Sequence, residues 1–189
     1  GRPFFAYVPL PAPHTPIVPT AEWQGKSGLN AYADFVRQVD AEVGRILAAL
    51  EREGLARDTL VIFTADNGCS PAAGTNKLEQ QGHYASGPYR GYKADIWDGG
   101  HRVPFLARWP GRIAPGTTTA RVSGFEDWLP TLLEVAGAAA RTPRNLDGIS
   151  LVPTLLGRPQ EPRPFLYRES PGYGGQQTVR VGDWKAVRQ

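Results

Sequence analysis

Between Asn30 and Gly54, apolar residues fall at Tyr32, Phe35, Val36, Val39, Val43, Ile46, Leu47 and Leu50. That spacing of three and four lines one side of a helix. Asn30 is a natural N-cap for it and Gly54 a natural stop. Continuous apolar runs flank this stretch: PFFAYV at Pro3 to Val8 and LVIFT at Leu60 to Thr64. Both read as core strands, so the order strand, helix, strand predicts a βαβ unit and a parallel sheet whose functional edge lies at the strand ends. Pro9 to Pro19, PLPAPHTPIVP, holds five prolines in eleven residues. Each fixes φ and forbids helix, which leaves a stiffened loop carrying His14.

Gly68 to Gly100 is rich in Gly, Pro and polar residues and far longer than ordinary connections, so it reads as one long functional loop. Val103 to Arg108 predicts a further strand. Asp127 to Ala136 predicts a helix capped by Asp127 and ended by Gly137, with Pro130 tolerated in its first turn. The chain then turns Pro-rich before a strand at Pro164 to Arg168. A hairpin of Thr178 to Val181 and Trp184 to Val187 follows, around Gly182 and Asp183. The expected fold class is α/β: a mostly parallel sheet flanked by helices over residues 1–160, then the beginning of a small antiparallel unit over 161–189. No internal repeat is visible.

Composition narrows the function classes. The chain has 189 residues and a formal charge of +3, with Lys and Arg scattered rather than gathered in arms or stripes, so nucleic acid is not implied. No apolar stretch approaches the ~20 residues of a membrane span, and none has the form of a signal peptide; membrane insertion is not expected. Met is absent and an apolar core segment follows Gly1 almost at once, which suggests a piece of a longer protein. The single Cys69 excludes an internal disulfide.

The candidate chemistry starts where LVIFTADNG passes from an apolar run to adjacent Asp66 and Asn67. A carboxylate beside a carboxamide at a strand end suits a hard cation such as Ca²⁺ or Mg²⁺, although Asp-Asn-Gly is equally good turn chemistry. His14 is either a loop histidine satisfied by a carbonyl or, clamped between Pro13 and Pro16, a pre-oriented ligand. Lys93 lies in RGYKADIWDGGHRVP, where Gly91, Gly99 and Gly100 would let backbone pass close to a bound group. It is either solvated or a point charge for a tetrahedral oxyanion. His83 and His101 flank the same loop, with His83 taken as a substrate contact. Asp40, at the rim of the helix's apolar face, would need a partner if partly buried. Trp97 and Trp128 read as packing residues.

Taken together, APHTP around His14, FTADNG, RGYKADIWDGGHRVP and LDGISLVPTLLG resemble the type I sulfatases, closest to the arylsulfatase A-like branch of the alkaline phosphatase-like superfamily. The likeness runs over almost the whole chain. It implies an α/β alkaline phosphatase-like sandwich, present in part, that cleaves sulfate esters of aryl compounds or glycans. It also implies Ca²⁺ (or Mg²⁺) held in part by Asp66 and Asn67, with His14 and Lys93 binding sulfate and stabilising the transition state. The nucleophile would be a formylglycine, made from Cys or Ser in a C/S-x-P-x-R motif that lies well before the DNG strand. Cys69 follows that strand and has Ala73 where the motif needs arginine, so it is not that residue. The nucleophile and the remaining metal ligands are therefore expected in a missing N-terminal half, with a periplasmic or secreted location implied by the family. Two of the six to eight oxygens Ca²⁺ prefers make a weak site, so the chain alone is expected to bind metal poorly and turn over nothing. Alternatives are a phosphodiesterase, phosphonate hydrolase or phosphomutase of the same superfamily, or a non-catalytic sulfatase-like remnant.

Overall fold

A computed structural model describes residues 2–171 and 174–188. Its longest element is helix α1, Ala31–Arg52, whose N-cap Asn30 accepts a hydrogen bond from Ala33 N through Oδ1 at 3.0 Å. Glu53 and Gly54 close the helix, Gly54 with φ of +67°. The periodicity of the apolar positions therefore located this helix to within a residue. Strand β1, Val61–Thr64, leads toward the Asp66 turn.

Among the described residues no parallel sheet is found. Strand β2, Phe105–Arg108, pairs with β1 antiparallel, with Val61 opposite Arg108 and Thr64 opposite Phe105. Pro3 to Val8 forms no strand; it is exposed, Phe5 at 74% and Tyr7 at 80%. An apolar run becomes a strand only when another strand accepts its hydrogen bonds, and no such partner lies beside this one among the described residues. Without it the βαβ unit is absent, and what remains is α/β with two small antiparallel sheets.

The segment from Gly68 to Gly100 is not a structureless loop. Ser70 Oγ accepts from Ala72 N and opens a 3₁₀ turn at Pro71–Ala73, and helices α2, Thr75–Gln80, and α3, Asp98–His101, follow. Both helices are too short to show an amphipathic repeat, which is why composition alone suggested a loop.

Helix α4, Trp128–Val135, starts directly after Asp127, as expected, and follows a 3₁₀ turn at Phe125–Asp127. Asp127 holds the N-cap position of α4 but makes no capping bond to it through its side chain. Its carboxylate accepts from Gly124 N at 2.9 Å and Ile149 N at 2.7 Å and pairs with Arg163, so it ties three segments together. A short helix α5, Val152–Leu155, then leads to a three-stranded antiparallel sheet. Its strands are β3, Leu166–Ser170, β4, Gln176–Val181, and β5, Trp184–Arg188, in that spatial order.

The core is small. The buried apolar residues are Ala56, Ala73, Leu78, Ile96, Leu151 and Val152. The chain exposes 13086 Å², whereas a compact monomer of its 20.6 kDa exposes about 8,900 Å². Much of α1's apolar face, with Val36 and Ile46 exposed, shares in that excess.

Candidate functional site

The turn after β1 is shaped by what the backbone packs against. An added Cβ on Gly68 would lie 1.8 Å from Gly99 O, and one on Gly99 would lie 2.0 Å from Gly91 O. The glycines therefore serve close approach of backbone to backbone; that is a correction to their reading as openings for a bound group. Gly68 N donates to Gly100 O at 2.8 Å, and Lys93 N donates to Cys69 O at 2.8 Å. Two hydrogen bonds thus fasten the Lys93 loop to the residues directly after Asp66 and Asn67.

In this turn Asp66 is exposed and Asn67 half-buried. Asn67 Nδ2 donates to Gly68 O at 3.0 Å, which leaves its Oδ1 as the free acceptor of the carboxamide. A carboxylate and a carboxamide oxygen side by side fit a hard cation, as two members of its ligand set. Among the described residues no group of three or more His, Cys, Asp or Glu side chains could hold a metal.

Lys93 is half-buried, and its ammonium has no partner among the described residues. Its direction is set by the main chain: Asp95 N donates to Tyr92 O at 2.9 Å, Tyr92 N donates to Asp95 Oδ2 at 2.8 Å, and Ala94 sits at φ +78° between them. A non-glycine residue in the left-handed region costs ~1 kcal/mol or more, so this turn is held by its surroundings.

His14 is exposed on the proline-rich loop, and its Nδ1 lies 2.8 Å from Thr15 O. With the proton on Nδ1 donated to that carbonyl, Nε2 is left outward with its lone pair. His14, Thr15, Tyr32, Ser70 and Ala73 line one small cavity of about 20 Å³, so the proline-rich loop meets the chain just beyond Cys69. The structure ties the main chain of Lys93 to the turn after Asp66 and Asn67, and it sets the His14 loop against Ser70 and Ala73. It does not bring His83 to them by any contact: His83 N caps the end of α2 on Leu78 O at 2.8 Å, and its side chain is exposed.

Cys69 is half-buried, its thiol donates to Ser70 O at 3.6 Å, and burial pushes the thiol's pKa up. A thiol held protonated is a poor nucleophile, in line with its exclusion from that role. Asp40 is exposed and unpaired; the buried carboxylate of α1 is Asp34. Hydrogen bonds from Ser27, then Gly25, both at 2.7 Å, hold Asp34 below the usual carboxylate range. The loop before α1 folds back over position 34 rather than 40, which helical periodicity cannot show. Trp97 and Trp128 do pack: the Arg90 guanidinium lies 3.9 Å over the Trp97 ring, and Trp128 stacks on Phe105 at 4.9 Å.

A charged cluster that sequence reading missed lies behind the Lys93 loop. Asp98 pairs with Lys185 and with Arg180 at 2.9 Å, while Lys185 Nζ lies 3.2 Å from His101 Nε2. Burial alone would raise the Asp98 pKa, but the bond and charge of Lys185 and the charge of Arg180 outweigh it and leave the carboxyl low. Burial, then the Lys185 charge, holds His101 below the ordinary histidine value and therefore neutral. More than eighty residues separate these partners, so no local pattern announced them.

A family model named Sulfatase matches residues 1–138. Steryl-sulfatase of Mus musculus is 38% identical over 99% of this chain and 30% of its own length. Arylsulfatase A of Homo sapiens is 40% identical over 98% of this chain and 36% of its own length. A solved structure from Bacteroides thetaiotaomicron, reported for the metabolism of multiple glycosaminoglycans, superposes with a TM-score of 0.78 at 29% identity. It covers 94% of this chain and 37% of that one. The chain thus spans about a third of the length of the proteins it matches.

Proposed function

We infer, because this chain belongs to the sulfatase family, that the whole protein hydrolyses sulfuric esters and that Asp66, Asn67, His14 and Lys93 are this chain's share of the site. The observation that best supports the reading is the fastening of Lys93 to the turn after Asp66-Asn67 through Cys69 O and Gly100 O. It holds the main chain of Lys93 close to the Asp66–Asn67 turn, which supports a cationic side chain and a bound cation acting on one tetrahedral oxyanion. Asp66 and the outward Oδ1 of Asn67 would hold Ca²⁺, or Mg²⁺ in its place. When bound, that ion draws negative charge from the sulfate oxygens.

The chain's own residues do the rest of what falls to it. Lys93, with no other partner among the described residues, places its ammonium on a sulfate or leaving oxygen and offsets the charge that builds there. His14, its ring fixed by Thr15 O, presents Nε2 to the same group and holds or passes a proton there. His83 would touch the part of the substrate that extends toward the end of α2. Aryl sulfates or sulfated glycans are the proposed substrates; the Bacteroides thetaiotaomicron relative was reported in a glycosaminoglycan context.

The nucleophile, a formylglycine, and the other metal ligands belong to the remainder of the protein. The excess of exposed surface, 13086 Å² in all, supports a chain built to pack against more protein. Alone, it should bind Ca²⁺ weakly and release no sulfate; turnover above a blank by the isolated chain contradicts this. The deciding experiment assays the whole enzyme on aryl sulfate against aryl phosphate, with Lys93→Ala alongside. Preference for phosphate overturns the sulfatase reading, and a loss in kcat/KM below tenfold, about 1.4 kcal/mol, removes Lys93 from the mechanism.

A further inference from the structure

We propose that Lys185 is a positioning residue for Lys93, through which the C-terminal sheet sets the aim of the Lys93 ammonium; this rests on the sulfate-ester reading above. Lys185 rises from β5, its side chain only 13% exposed. Its three donors are matched by three acceptors: Ile96 O at 3.0 Å, the Asp98 carboxylate, and His101 Nε2 at 3.2 Å. Gln176 Oε1, from β4, accepts from Ile96 N at 3.0 Å in a buried bond. The C-terminal sheet thus holds both main-chain polar groups of Ile96. Arg180 adds a second cation on the other oxygen of Asp98 at 2.9 Å.

From Ile96 the constraint has a short way to travel. The 92–95 turn closes on itself through the two Tyr92–Asp95 hydrogen bonds, and Lys93 lies inside it. An added Cβ on Gly100 would meet Asp95 O at 2.1 Å, so the turn also rests directly on α3, where Asp98 sits. Lys93 makes no side-chain bond of its own among the described residues, so a shift of Ile96 and Asp98 passes into the direction of its ammonium. The exposed ion pairs elsewhere, such as Arg45 with Glu42 at 2.8 Å on α1, fix nothing of this kind.

The test is Lys185→Met in the whole enzyme, which keeps the aliphatic stem and removes the donors. A misplaced charge should lower kcat by ~10- to 100-fold with KM changed less than about twofold. In a Lys93→Ala background the same substitution should change kcat less than about twofold, because its effect runs through Lys93. Lys185→Arg should recover part of the loss. Equal losses in both backgrounds, or an unchanged kcat, overturn the proposal. Asp98→Asn, close to isosteric, carries the same expectation if Lys185→Met fails to accumulate. Amide exchange read in the same variants needs no turnover: residues 92–100 should exchange faster while α1 is unchanged, and unaltered protection there overturns the brace. A whole enzyme inert toward aryl sulfate would sink the sulfatase reading, yet leave the exchange result standing.

Discussion

Lys93 N donates to Cys69 O across 2.8 Å, two residues past Asn67, so Lys93, whose ammonium has no partner among the described residues, is fastened to the strand-end turn that carries Asp66. Backbone, rather than side chains, holds the candidate site together. Its weak points are accordingly the glycines and caps.

Gly68→Ala is the sharpest case. The new methyl would sit 1.8 Å from Gly99 O and 2.8 Å from Gly99 C, both backbone atoms that cannot swing aside. We expect a loss of ~1–3 kcal/mol in unfolding free energy from overpacking. The Lys93 loop should be displaced as well, with kcat/KM on an aryl sulfate falling further than stability alone explains. Equal stability to wild type in urea contradicts the packing described.

Asn30 performs two tasks. Its Oδ1 caps α1 at Ala33 N, and its Nδ2 donates to Ala73 O at 2.9 Å, joining the helix to the turn beside the cavity that His14 lines. Asn30→Ala should cost about 1 kcal/mol for the cap and about 1 kcal/mol more for the second bond. Asn30→Asp keeps the acceptor, loses the donor, and should fall between them. The denaturation midpoint at unchanged slope reads the difference.

Acid should weaken the fold in two steps. His101 is held neutral, its folded pKa below the unfolded one, so the unfolded chain takes up the proton first. Stability falls as pH drops from the ordinary histidine range through the folded pKa. Asp98 also has a depressed folded pKa; its contribution is present above the ordinary aspartate value and is lost as pH falls below it. His101→Gln should remove the upper step and leave the lower. A stability profile in which His101→Gln matches wild type between pH 7 and about 5 contradicts this.

Asp127 is 1% exposed and serves Gly124 N, Ile149 N and the nearly buried Arg163. Asp127→Ala would leave a nearly buried guanidinium with Glu126, at 3.4 Å, and Asp147 O, at 3.3 Å, and two main-chain donors without acceptors. We expect ~3–5 kcal/mol of destabilisation. Replacing Arg163 by Met as well should recover part of it, since the uncompensated charge is then gone. Thermal unfolding of the single and double variants reads both effects.

Local order was already written in the chain. The α1 periodicity with its Asn30 cap, the apolar run at 61–64 and the β4–β5 hairpin around Gly182 rest on neighbours a few positions apart, whereas His14, Asp66, Asn67 and Lys93 became candidates through the likeness of several motifs taken together. Caps, turn chemistry and side-chain alternation act at that range. Tertiary structure alone decided that β1 takes an antiparallel partner in β2, because an apolar strand pairs equally well in either sense until another strand is beside it. It alone decided that 3–8 stays exposed, that Gly99 and Gly100 pack on backbone, and that Asp34 rather than Asp40 is buried. The Asp98–Lys185–His101 cluster was equally out of reach, since charges more than eighty residues apart meet only when two sheets and a turn have found their places.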